Sequence, residues 1–332
     1  MLNPELKLNS GLFSEKAEIK SMRDGFGEGL VLAGELNHQV VALCADVTES
    51  LRMNLFRDRF PERFFELGVA EQNMIGVASG LAATGKIPVV GSYAVFSPGR
   101  NWEQIRTTIC YNQQKVILVG SHGGLNVGPD GGSHQALEDL ALTRVLPQLA
   151  VISPCDYWEA RKALLEALTY PTSVYLRLAR ATGPVITSPE TPFQIGKAQV
   201  FWLPEEPFSG ITVVATGFLV FEALKAAQEL AQEKINIAVI NNSTIKPLDQ
   251  TLILAWAQKS KLILTLEEHQ KFGGMGSTVS EFLSATYPVP MHFLGVADTF
   301  GESGEAQELI KKYGLSKDSL KEVIKTLLIE KL

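Results

Sequence analysis

The chain has 332 residues, 45% of them hydrophobic, and a formal net charge of -6. That length suits about two domains, each with a sizeable core. The mild acidic balance, without any run of like charges, argues against non-specific nucleic-acid binding and against an anionic membrane surface, leaving small molecules and other proteins as partners.

Cys44, Cys110 and Cys155 are far apart in sequence, so neither a disulfide framework nor a zinc site is expected, and a reducing cytoplasm fits. The opening "MLNPELKLNSGLFSEKAEIK" lacks an apolar core of signal-peptide length, and no segment offers the roughly 18 uninterrupted apolar residues of a membrane span. A protein that is neither exported nor membrane-spanning is expected.

From about Ile19, helical periodicity alternates with short apolar runs bounded by turn residues, the pattern of β-α units around a mainly parallel sheet. The spacing predicts a helix over "IKSMRDGFGEGLVLAGEL", strands "VVALCAD" and "RFFEL", helix "AEQNMIGVASGLAATG", strand "IPVVGSY" and helix "GRNWEQIRTTICYN". Strand "KVILVG", helix "QALEDLALTRVL", strand "LAVISP", helix "YWEARKALLEAL" and strand "SVYLRLA" complete a first domain. Residues 181–210, rich in Pro, Gly, Ser and Thr, read as a linker and put the boundary near residue 190, giving domains 1–190 and 191–332. The alternation then resumes from "ITVVATG" to "MHFLGV" and ends in two charged helices. The expected fold is α/β, with two doubly wound domains.

Glu71 heads a helix made almost wholly of small and apolar residues. It reads either as a first-turn acid favoured by the helix dipole or as a buried carboxylate that shares a proton with a ligand. The loop "SHGGLNVGPDGGSHQ" follows a strand at the sheet edge where ligands collect, and it combines His122, Asp130 and His134 with five glycines. A flexible surface turn with incidental histidines is the alternative. Tyr93 and Phe96 lie just past a strand and suit either the core or a stacked ring. Arg177 and Arg180 close the last strand, where one can be a surface ion pair and an arginine also suits a phosphate or carboxylate. Asp46 and Ser50 stand at another strand end and could equally cap a helix. The "GGMGS" run reads as a closely packed turn rather than a nucleotide fingerprint.

Taken together, "VAEQNMIGVASGLA", the spacing of His122, Asp130 and His134, and "SPCDYWEA" resemble the transketolase family, in particular the C-terminal half found in transketolases split over two chains. The resemblance runs from "MRDGFGEGL" to "FGESGEAQELIKKYGLS". It implies a pyrimidine-binding domain for thiamine diphosphate followed by a transketolase C-terminal domain. By the same resemblance Glu71 contacts N1′ of the aminopyrimidine and promotes the imino tautomer that takes the C2 proton. Tyr93 and Phe96 match the wall of the pyrimidine pocket, although "SPGRNW" departs from the aromatic-rich continuation of full-length members. His122 and His134 match histidines that touch the substrate's hydroxyls and carbonyl, Asp130 the acid that reads a hydroxyl, Arg180 the phosphate-binding arginine assisted by Ser50, and Asp46 an acid near the cofactor.

A GDG motif with a downstream Asn, which in this family holds the diphosphate and magnesium, is not found in the sequence; "PDGG" belongs to the substrate loop. The implied partner is a chain carrying the diphosphate- and Mg2+-binding domain, in a heterotetramer with two copies of each. The implied activity is transfer of a two-carbon ketol unit between sugar phosphates. A deoxyxylulose phosphate synthase-like half-enzyme and a degenerate regulatory subunit are the other readings.

Overall fold

Every residue of the run Val40–Cys44 is buried, as a parallel strand covered on both faces requires. Val40, Ala42 and Cys44 belong to one hydrophobic cluster, with Phe26, Leu30 and Leu164 from the helices Met22–Leu36 and Tyr157–Ala167. Val41 and Leu43 belong to another, with Met74, Ile75 and Ala78 from helix Glu71–Ala83. The twofold alternation of the strand thus sorts its side chains between two helical layers.

The computed structural model describes residues 1–330. In chain order its strands are β1 Ile19–Ser21, β2 Val40–Cys44, β3 Phe64–Glu66, β4 Ile87–Tyr93, β5 Ile117–Ser121, β6 Leu149–Ile152 and β7 Ser173–Arg177. They continue with β8 Thr182–Pro184, β9 Gln199–Trp202, β10 Phe208–Ala215, β11 Asn236–Asn241, β12 Thr244–Lys246, β13 Leu262–Gln270 and β14 Met291–Val296. The first sheet runs β12-β6-β7-β5-β4-β2-β3 and is parallel except for β12. The second runs β14-β13-β10-β11-β9 and is parallel except for β9. Both domains are α/β with helices on both faces of their sheets.

The two sheets share a core. Ile240, Ile263, Met275 and Val279 of the second domain join the cluster that holds Val41, Leu43 and Val90 of the first. The far face of the second sheet packs under helices Val220–Gln232 and Lys317–Glu330, together with Leu12 from the N-terminal segment. That segment lies on the second sheet, where the amide of Asn3 donates to the Phe201 carbonyl at 2.9 Å.

Several elements differ from the sequence expectation. The first helix begins at Met22, with the Ser21 hydroxyl accepting from the Arg23 amide at 3.2 Å, and Ile19–Ser21 pairs instead with Thr182–Pro184. Within 181–210 lie two short strands, of which β9 borders the second sheet. The three-residue β12 crosses back to border the first. Helix Asn54–Arg59 has no counterpart among the elements that the sequence pattern predicts, and "GRNWEQIRTTICYN" forms one short α turn followed by a π-helix over Ile105–Tyr111. Such short pieces carry too few residues to show a period. "GGMGS" opens helix Met275–Thr286, where the amides of Met275 and Gly276 donate to Glu267 at 2.7 and 2.8 Å.

Helix Met22–Leu36 lies against helix Tyr157–Ala167 so closely that a Cβ at Gly25 would stand 2.1 Å from the Tyr157 carbonyl oxygen. Backbone cannot yield as a side-chain tip can. Gly25→Ala is expected to destabilise the chain by about 3 kcal/mol, read from the denaturant midpoint, and an unchanged midpoint would contradict this packing.

Candidate active site

Chain order reverses around β2 in the first sheet: β3 lies on one side of β2, and the next strand, β4, on the other. In such sheets a crevice opens at the carboxyl ends of the strands at this switch point. The segments leaving β2, β3 and β4 carry Asp46 and Ser50, Glu71, and Tyr93 with Phe96, while those leaving β5 and β7 carry the His122–His134 loop and Arg180. Topology alone therefore sends all nine candidates to one edge.

Side-chain contacts join six of them, Glu71 through Arg100, and Arg180 is tied to the group through its carbonyl. The rings of Tyr93 and Phe96 lie 6.0 Å apart at 18°. His122 stacks on Tyr93 at 3.9 Å, and His134 stands edge-on to Phe96 at 5.4 Å. Tyr93 Oη donates to Ser50 Oγ at 3.2 Å. Arg23, not singled out in the sequence, donates to the Ser50 carbonyl at 2.8 Å and to the Arg180 carbonyl at 2.9 Å, tying those two strand ends together. Asp46 and Asp130 are exposed and stand apart from this cluster of rings.

Glu71 is only 3% exposed although it begins a helix. Its carboxylate is reached by Nη1 of Arg100 at 3.2 and 3.4 Å. The guanidinium of Arg100 also covers the Phe96 ring at 4.1 Å, and its side chain is 50% exposed. Asn101 fixes the turn by donating to the Glu71 carbonyl at 3.2 Å and to Ser97 Oγ at 3.1 Å. Arg100 thus stands in the "SPGRNW" segment that departs from the family's aromatic run. One long, single-nitrogen contact leaves most acceptor positions of the carboxylate open. A flat heteroaromatic ring with a nitrogen to share suits this carboxylate and the Tyr93–Phe96 wall.

His122 has a left-handed backbone, φ 60°, which a non-glycine residue keeps only when its surroundings impose it. Its Nδ1 lies 2.9 Å from Ser121 Oγ, and burial, with Arg23, Arg180 and His134 nearby, pushes its pKa down to about 3. It is therefore a neutral ring, able to donate from one nitrogen at a time. Arg177 proves to be no surface pair: it is 6% exposed, and its Nε donates to Asp139 at 2.8 Å inside the core.

Residues 19–185 match the transketolase pyrimidine-binding domain, and residues 204–320 the transketolase C-terminal domain. The chain is 40% identical over 305 residues to a protein of Methanocaldococcus jannaschii described as a transketolase C-terminal section, covering 91% of this chain and 94% of that one. It is 36% identical over 304 residues to the 6-deoxy-6-sulfo-D-fructose transketolase subunit of a Clostridium species, covering 92% and 93%. A split-gene transketolase solved as an inactive β4 tetramer is similar with a TM-score of 0.86 and 39% identity, over 94% of this chain and 99% of that one. The chain belongs to the transketolase family and is a subunit of its split form, a transferase of ketol groups.

The neutral state of His122 fixes the sign of a pH effect. Its folded pKa lies below the unfolded value, so the stability it contributes is present above about pH 6.5 and is lost as pH falls towards about 3. Going from pH 7.5 to pH 5 is expected to remove about 2 kcal/mol that a His122→Asn chain retains, measured by denaturant unfolding of both. Equal losses would show that the ring is not held neutral.

Proposed function

We propose that this subunit supplies the pyrimidine-side half of each active site and transfers a two-carbon unit from a ketose phosphate to an aldose phosphate only when assembled with a second chain. What carries this is the burial of Glu71 beside the Tyr93–Phe96 wall, with a half-exposed arginine as its ion-pair partner. When bound, thiamine diphosphate supplies the nucleophilic carbon that accepts the ketol unit. Every other contribution of this chain is positional or protonic.

Glu71 holds a proton at the pyrimidine ring nitrogen, taking it as hydrogen-bond partner in place of Arg100, whose exposed guanidinium moves to solvent. Tyr93 and Phe96 flank the ring, and Asp46, exposed two residues past β2, is left to the outer side of the cofactor. His122, neutral, and His134 donate to the substrate oxygens where negative charge develops. Asp130 reads a hydroxyl, and Arg180, helped by Ser50, takes the sugar's phosphate.

The cofactor's diphosphate and Mg2+ fall to the partner, since the GDG motif is not found in this sequence. Two copies of each chain form the assembly. The inactivity of the neighbour composed of β chains alone supports this division. Cys44, Cys110 and Cys155 are buried free thiols, which suits a reducing cytoplasm.

The test is reconstitution with a diphosphate-binding chain, thiamine diphosphate and Mg2+, followed by a ketol-transfer assay. Glu71→Ala is expected to lower kcat by about 10² to 10⁴ without preventing assembly, and this chain without its partner is expected to be inactive. Full turnover by either would sink the proposal.

A further inference from the structure

The second domain sends a carboxylate into the first. Glu268, on β13, is 2% exposed, and the acceptors of its side chain are spent on the substrate loop. It accepts from the Asn126 amide N–H and, at 3.0 and 3.1 Å, from Asn126 Nδ2. A Cβ at Gly124 would stand 2.5 Å from its carboxyl carbon, so the loop backbone is moulded to the group. Burial raises the pKa of Glu268 to about 7, against the opposing pull of Arg177 and the Asn126 donors.

These contacts settle which way Asn126 faces. With Nδ2 turned to Glu268 and to the Gly123 carbonyl at 2.8 Å, Oδ1 points the other way, where it accepts from the amides of Arg180 at 2.6 Å and Ala181 at 3.0 Å. The Arg180 guanidinium in turn donates to the Val127 carbonyl at 3.0 Å, and the Arg180 carbonyl accepts from Arg23. Backbone and side chain of Arg180 are therefore both set by the segment that Glu268 grips. More of the same domain covers the loop, with Gln135 Nε2 donating to the Glu302 carbonyl at 3.0 Å.

We infer that Glu268, acting through Asn126, is the positioning residue for the phosphate end of the substrate site, so that the second domain governs discrimination between phosphorylated and unphosphorylated sugars. The inference rests on the assignment of Arg180 to the substrate's phosphate. Glu268 does not touch the substrate; it fixes the backbone from which Arg180 reaches it. Loss of the link lets Arg180 drift, which weakens phosphate binding and leaves the reacting end untouched.

The experiment uses the reconstituted two-chain holoenzyme with ribose 5-phosphate and ribose as paired acceptors. Glu268→Ala and Asn126→Ala are each expected to raise KM for ribose 5-phosphate about tenfold, with kcat within about twofold and kcat/KM for ribose unchanged. Glu268→Gln keeps the shape and one acceptor oxygen and is expected to recover most of the loss. The double variant is expected to be no worse than either single one, as members of one link behave. Should Glu268→Ala fail to assemble, Asn126→Ala and Glu268→Gln decide the matter. Equal losses on both acceptors would overturn the inference, leaving Glu268 a purely structural group. A tenfold KM effect of Arg180→Ala with none from Asn126→Ala would overturn it while sparing the proposed function. No effect from Arg180→Ala would overturn both.

Discussion

A carboxylate removed from water needs a donor, and the architecture of the first domain turns on how that need is met at Glu71. Glu71 opens helix Glu71–Ala83 and is 3% exposed. Arg100, held at 3.2 Å and half in solvent, meets the need, so the acid is satisfied in the free chain by a group that can be exchanged. Were the partner a buried lysine or a backbone amide, the same carboxylate would be fixed and unavailable to a ligand. The neighbouring Phe96 ring, which Arg100 covers at 4.1 Å, ties that exchange to the wall of the pocket.

The second requirement is convergence. Glu71, Tyr93, His122 and Arg180 come from segments that follow four different strands, and it is the parallel sheet that brings their ends to one edge. Close packing of helix Met22–Leu36 on helix Tyr157–Ala167 backs one face of that sheet, and the core shared with the second domain backs the other. The second domain is thus more than a support. Through Glu268 it specifies the conformation of a loop whose glycines would otherwise leave it many.

Much of this was legible in the chain. Glu71 is conspicuous because it interrupts an apolar run, and the His122–His134 loop because glycine and imidazole rarely crowd together without cause. The alternation of Val40–Cys44 with helical stretches gave the sheet. Arg100 lies in a segment distinguished in sequence only by what it lacks, and Arg23 reads like any first-turn arginine of an amphipathic helix. Glu268 could not have been found by pattern. "LEEH" reads as the end of an ordinary strand, and its meaning lies in a contact across 142 positions of sequence. The edge strands β9 and β12 escaped for the same reason: three or four residues take their conformation from the neighbour they pair with.

In the proposed function the Glu71 carboxylate gives up Arg100 for a ring nitrogen of the cofactor. A structure of the assembled two-chain complex with thiamine diphosphate tests it most directly. The expected result is an aminopyrimidine nitrogen within about 2.6 to 3.2 Å of a Glu71 oxygen, the ring against Tyr93 and Phe96, and Arg100 turned away. An aminopyrimidine bound elsewhere, with the Glu71 and Arg100 pair intact, would contradict it.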